Sequence, residues 1–290
     1  MNSFDLIKLI AIILAIAVIF WFYRHYHKEK LSLGAQIKIA IIGFVSNLLD
    51  TIGIGSFAVI VAMRRLLGVM PDDVKLIGSM NIQAMITALA QALIFLHYIQ
   101  LDLTTLLVAV TMIALGGFLS GLVVVRINKK IVHRVMLIAF AITGVLLLLS
   151  QLNILEISGG STAIKGTRLV IFAIFMLIAG ALPAFGVGYY SLVKASIFLF
   201  GVNPIIAFPI MASASAYQMP VTSITFINKQ KFYSKATILM AVFGVIGVLI
   251  AAPLISKVDS YTLKWILLGV VIYNVVTLAR SAKTANKIQA

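Results

Sequence analysis

The chain has no cysteine among its 290 residues. Disulfides, thiolate metal sites and cysteine nucleophiles are therefore excluded. Charge is scarce as well: Asp, Glu, Lys and Arg make up 11%, against about 25% in a soluble domain. Acidic residues are the rarest, 8 beside 23 Lys and Arg. The four histidines, at 25, 27, 97 and 133, all fall in loops or helix ends, so none is expected to pair with an intramembrane nucleophile or a second metal ligand. Paired aspartates within helices and nucleotide-binding loops are also missing. These absences argue against an enzyme and against ATP-driven transport by this chain alone. No catalytic residue, metal or cofactor is expected.

What the chain does have is hydrocarbon: 62% of it is hydrophobic and the mean hydropathy is +1.13. Such a chain cannot cover a globular surface with polar groups, so lipid must be its solvent. The apolar runs are long and uninterrupted rather than alternating, the pattern of spanning helices. The net charge of +15 collects in short segments such as RHYHKEK, RINKKIVHR and NKQKFYSK, as expected of loops facing an anionic cytoplasmic leaflet. No basic helix interleaved with aromatics is present, so no nucleic-acid partner is expected.

The organising pattern is a repeat. DTIGIGSFAVIVAMRRLLGVMP at 50–71 returns as PAFGVGYYSLVKASIFLFGVNP at 183–204. Gly53 matches Gly186, Gly55 matches Gly188, Gly68 matches Gly201 and Pro71 matches Pro204, all at a step of 133 (186−53, 188−55, 201−68, 204−71). Four Gly/Pro matches in one register predict an internal duplication whose copies each open on a glycine-broken element.

Residues 4–23 read as an uncleaved anchor helix, because the basic cluster follows the apolar run instead of preceding it. As one helix, 36–66 would be about 46 Å long, too long for a simple crossing, and the glycine break divides it into halves of about 14 residues, each too short to span about 30 Å. The prediction is a re-entrant hairpin that enters and leaves on the cytoplasmic side. That reading puts Arg64, Arg65, Lys75 and RINKKIVHR on one side, joined by helices 74–97 and 103–125. A single crossing would put those charges outside. Helix 132–152 then leads out. The second copy runs from the other face: hairpin 168–200, helices 205–227, 236–255 and 262–279. Lys165 and Arg168 are outside exceptions. One hairpin plus three crossings is an odd number, so the copies must be inverted.

The expected fold is thus an all-α membrane protein with an inverted structural repeat. Residues 1–30 are the anchor, 31–152 the first repeat, 153–167 an extracytoplasmic linker and 168–290 the second repeat. The N-terminus is outside and the C-terminus cytoplasmic. The partners expected are the lipid bilayer and a small anionic substrate, and a homo-oligomer is compatible with the sequence.

A Gly-x-Gly element, about a dozen apolar residues, Gly-Val-x-Pro and then a helix rich in small and polar residues, all occurring twice, resembles the TauE/SafE sulfite exporter family, also called TSUP. The resemblance covers about residues 34–282. It implies export or exchange of sulfite, organosulfonates or related small anions across a prokaryotic plasma membrane.

The residues themselves point to a site at the two breaks. A half-helix starting in mid-membrane exposes N–H groups and the positive end of its dipole, and Gly lets an anion approach the backbone. Gly53, Gly55 and Ser56 from one tip and Gly186, Gly188 and Tyr189 from the other are the expected cradle. The bland reading is tight helix packing by small residues. Asp50 reads either as a proton-coupling carboxylate or as an N-cap of the second half-helix. Lys194 either faces the substrate or snorkels to the interface. Asn81, Gln83 and Gln218 either line a polar path or bond between helices. Tyr189 and Tyr190 either close the site or face lipid. The function predicted is secondary transport of a small anion by alternating access, with a passive anion channel as the nearest rival and an intramembrane hydrolase behind it.

Overall fold

The computed structural model describes residues 3–53, 55–123, 161–185 and 200–255, with separate positions among 145–152, 189–197 and 265–280. The expected helices 132–152 and 262–279 fall largely outside the described residues, and Gly186, Gly188 and Lys194 fall wholly outside them.

The regular elements are α1 Ser3–Arg24, α2 Leu33–Ile52, α3 Ser56–Leu67, α4 Asp73–Tyr98, α5 Leu103–Val123, α6 Thr167–Ala181, α7 Ala207–Asn228 and α8 Ser234–Ile255. A 3₁₀ turn, Leu182–Phe185, extends α6, and another, Pro204–Ile206, precedes α7. Among the described residues five helices, α1, α2, α4, α5 and α8, are long and apolar enough to cross a bilayer. Outward faces are apolar: Ile13, Ile16 and Phe20 on α1, Leu249 and Ile250 on α8, and Ile171 and Ile174 on the shorter α6 are exposed. The buried polar side chains, Ser79, Asn81, Gln83, Thr87 and Gln91 among them, are inside. Water would reject that distribution and lipid favours it. The chain is an all-helical, multi-pass membrane protein.

Helix directions follow from the contacts. Gly43 lies against Met240, Asn47 against Gly244, and Phe44 and Leu48 against Gly247, so α2 and α8 are parallel and close. Asn47 Nδ2 donates to Gln83 Oε1 at 3.0 Å, while Gln91 Nε2 donates to Asp50 Oδ2 and Thr51 Oγ1 at 3.1 and 3.2 Å. Those bonds make α4 parallel to α2. In a second group, Ile164 N–H donates to Thr105 Oγ1 at the starts of α6 and α5. Further along, Gly116 meets Leu177, Gly180 meets Ile113 and Gly117 meets Gln218, so α5, α6 and α7 are parallel to one another. The groups are opposed, because α4 and α7 pair antiparallel, with Phe95 beside Phe208 at one end and Gly78 beside Phe226 at the other.

This packing gathers charge at one end. The segment after α1, the α3–α4 turn and the α7–α8 turn meet there. Trp21 Nε1 donates to Asn228 Oδ1, Asp72 N–H donates to the Tyr233 hydroxyl, and the Glu29 carboxylate accepts from the N–H groups of Ser234 and Lys235. Arg24, Lys28, Lys30, Arg64, Arg65, Lys75, Lys229, Lys231 and Lys235 belong to these segments, whereas Lys165 and Arg168 belong to the opposite end.

The first glycine-broken element differs from expectation in its proportions. The α2 helix has 20 residues and α3 has 12, not two halves of about 14. Ser32 starts α2 early, its side chain accepting from Ala35 N–H, and the break waits until Gly53. At about 1.5 Å per residue α2 is about 30 Å long, and only α3 is short. The return is nonetheless a hairpin: α3 packs back on α2, and Lys38 Nζ near the start of α2 donates to Leu67 O at the end of α3.

Candidate functional site

Gly53 ends α2 at φ 108°, and its N–H donates to Asp50 O and Leu49 O. Gly55, at φ 90°, precedes α3. L side chains rarely adopt either conformation, so the chain turns here because glycine is here. The turn brings Asp50 Oδ1 to the first N–H of α3: Ser56 N–H donates to it at 2.6 Å. Asp50 therefore caps α3 from six residues upstream. Its other oxygen takes the Gln91 amide from α4.

The second break is built differently. The α6 helix tightens into Leu182–Phe185. Beyond it, at helical spacing, Val193 N–H donates at 2.9 Å to the carbonyl of Tyr189. Its hydroxyl bonds Ser215 Oγ on α7 at 2.6 Å, and its ring stacks edgewise on Tyr190. Both tyrosines are buried.

These two breaks meet. A cavity of about 20 Å³ is lined by Asp50, Gly55, Ser56 and Phe57 from the first, by Pro183, Tyr189 and Tyr190 from the second, and by Ala84, Thr87, Ala88, Ser215 and Met219. The last five are mid-helix residues of the antiparallel pair α4 and α7, so the cavity sits at mid-depth of the bundle. Its volume suits about one water molecule.

Of the residues singled out from the sequence, the structure brings Asp50, Gly55, Ser56, Tyr189 and Tyr190 to this cavity, with Gly53 at the turn behind it. Asn81 and Gln83 are buried on α4 outside the lining. Asn81 Nδ2 bonds its own helix at Ile77 O, and Gln83 holds Asn47. Gln218 is wedged against Gly117 and donates to Gly180 O, bonding α7 to α6. Asn47 and Thr51 were not singled out from the sequence. The signal was there: Ser46, Asn47, Asp50 and Thr51 form a polar stripe at helical spacing on an otherwise apolar helix. The Tyr189–Ser215 pairing had no local signal.

Comparison with protein-family models, with curated proteins and with solved structures finds no match.

Proposed function

We propose that this protein is a secondary transporter of small oxyanions, of the TauE/SafE kind, working by alternating access between two inverted repeats. The observation that carries the reading is the convergence of Asp50, Gly55 and Ser56 with Pro183, Tyr189 and Tyr190 on one small cavity at mid-depth of the bundle. Two broken helices facing each other across the middle of a membrane protein are the usual ingredients of a transport site. The opposed directions of α2, α4, α8 and of α5, α6, α7 support the inverted repeat. The basic end supports an orientation with that end in the cytoplasm and the start of α1 outside, in a prokaryotic plasma membrane.

The same geometry supports proton coupling. Asp50 Oδ1 occupies the N–H of Ser56, the donor that a substrate oxyanion would take at a helix N-terminus. Carboxylate and substrate compete for it. A proton on Asp50 weakens its hold and removes the repulsion, so anion and proton enter together. The cavity is smaller than any oxyanion, so loading requires the two halves to part. That separation favours a transporter over a static channel.

The test is counterflow in proteoliposomes, with sulfite, thiosulfate, sulfonates and carboxylates as probes, beside thermal shifts of the purified protein. At least one oxyanion is expected to exchange and to raise the melting temperature. If none moves and none shifts it, the reading fails. Flux near diffusional rates without counterflow would instead mark a channel.

A further inference from the structure

Ser79, Gln83, Thr87 and Gln91 recur every four residues on α4 and so share a face. All four are buried. At the basic end Ser79 Oγ accepts from Tyr233 N–H at 2.8 Å. In the middle Gln83 meets Asn47, and the Asn47 amide and the Thr87 methyl both lie against Gly244 of α8. Thr87 reaches the cavity, and Gln91 reaches Asp50. The face thus places one polar side chain on each turn from the basic end to the Asp50 carboxylate, about 18 Å along the helix.

Two groups on it are unsatisfied. Asn47 Oδ1 and Gln83 Nε2 have no hydrogen-bond partner among the described residues, and both side chains have 0% exposure. A buried polar atom left unpaired is costly, and the common remedy in a polar seam is a bound water. At the step of 133 the corresponding face of α7 carries Ala212, Ala216, Pro220 and Ile224. The polar side chains of α7, Ser213, Ser215, Gln218, Thr222 and Ser223, are buried too but lie off that register.

We propose that the seam Ser79–Gln83–Thr87, with Asn47, is a hydrated relay giving protons access to Asp50 from the basic end. A proton enters at the Ser79 end, passes along bound water and arrives on the Asp50 carboxylate; when the halves part toward the other side it leaves with the anion, which restores the carboxylate. Among the described residues, the titratable groups facing Asp50 across the cavity are the Tyr189 and Tyr190 phenols, while α4 turns neutral Thr87 and Gln91 to it and α3 and α7 turn Ser56 and Ser215. The relay rests on the proton-coupled reading above.

The experiment compares the full-length protein with Asn47→Leu and with Ser79→Ala, a milder truncation at the seam's outer end that serves if Asn47→Leu does not fold. Sulfite uptake driven by an acid step is expected to slow roughly tenfold in Asn47→Leu, with sulfite counterflow at equal pH retained. A second readout needs no anion. The infrared carboxyl band that Asp50→Asn removes is expected to appear more slowly after an acid jump in the seam variants. Unchanged band kinetics in both variants overturn the relay and leave the transport reading standing. Absent counterflow in the unmodified protein overturns transport, and the infrared kinetics still decide the relay.

Discussion

The two breaks that meet at the cavity are built from different chemistry. Where the first half has Asp50, the second has Pro183; where the first has Ser56, the second has Tyr189; and Asn47 corresponds to Gly180. The first break is held by a carboxylate that caps a helix, and the second by an aromatic hydroxyl bonded to Ser215. Yet the scaffolds around them match. The α2–α8 pair closes through Gly43, Gly244 and Gly247, and the α5–α6 pair through Gly116 and Gly180. On the proposed repeat, the two halves keep the same packing and divide the chemistry, one break holding a carboxylate and the other a buried phenol.

The sharpest way to break the comparison is Asp50→Asn, which makes the first break as uncharged as the second. The amide keeps an acceptor for Ser56 N–H, so the fold is expected to survive. Accumulation of sulfite against a pH gradient is expected to fall about 5- to 150-fold, the usual range of a coupling free energy, measured in proteoliposomes.

The shared packing predicts a matched response next. Gly43→Ala would drive a methyl into the Met240 backbone, and Gly116→Ala would drive one into Leu177 O. Each is expected to destabilise by about 1–3 kcal/mol, read by thermal unfolding in detergent. Gly34→Ala, where a methyl meets nothing, is the control. A large loss at one pair and none at the other would end the claim of a common scaffold.

Tyr189→Phe tests the second break alone. It removes the bond to Ser215 and is expected to cost about 1 kcal/mol, with α3 and its Asp50 cap unaffected, as checked by hydrogen exchange at Ser56.

The smallest effect concerns the turns that follow the breaks. Asp72 accepts from Val74 and Lys75 N–H before α4, whereas neutral Asn203 accepts from Ile205 N–H before α7. Those backbone bonds, that from Lys75 first, hold the Asp72 carboxyl below its ordinary range. A lowered carboxylate pKa contributes stability that is complete above the unfolded value of about 4 and lost as pH falls through the folded one. The melting temperature is therefore expected to dip slightly at acid pH, and Asp72→Asn to flatten that dip. No counterpart is expected for Asn203→Ala.

Much of this organisation was legible in the sequence. Apolar runs gave the helices, and the Gly-x-Gly pairs marked the first turn, because φ values as large as those of Gly53 and Gly55 strongly favour glycine. Charge placed three basic segments at one end. Other features were hidden for physical reasons. The early start of α2 depends on one weak signal, the Ser32 cap. The lodging of α8 beside α2, and of α5 beside α6, is a long-range choice that hydropathy does not encode. The polar stripe on α2 was visible, but its meaning depended on Gln83 and Gln91 arriving from α4.

The place of α8 beside α2 has a consequence for synthesis. Met240 covers Gly43, yet roughly 200 residues separate them, about 10–40 s of translation at 5–20 residues per second. Throughout that interval the nascent α2 carries its close-packing groove without the helix that fills it. Membrane insertion must therefore shelter Asn47 and Asp50 from hydrocarbon, through early pairing with α4 or through the insertion machinery itself. Ribosome pausing between α4 and α8 would prolong that vulnerable stage.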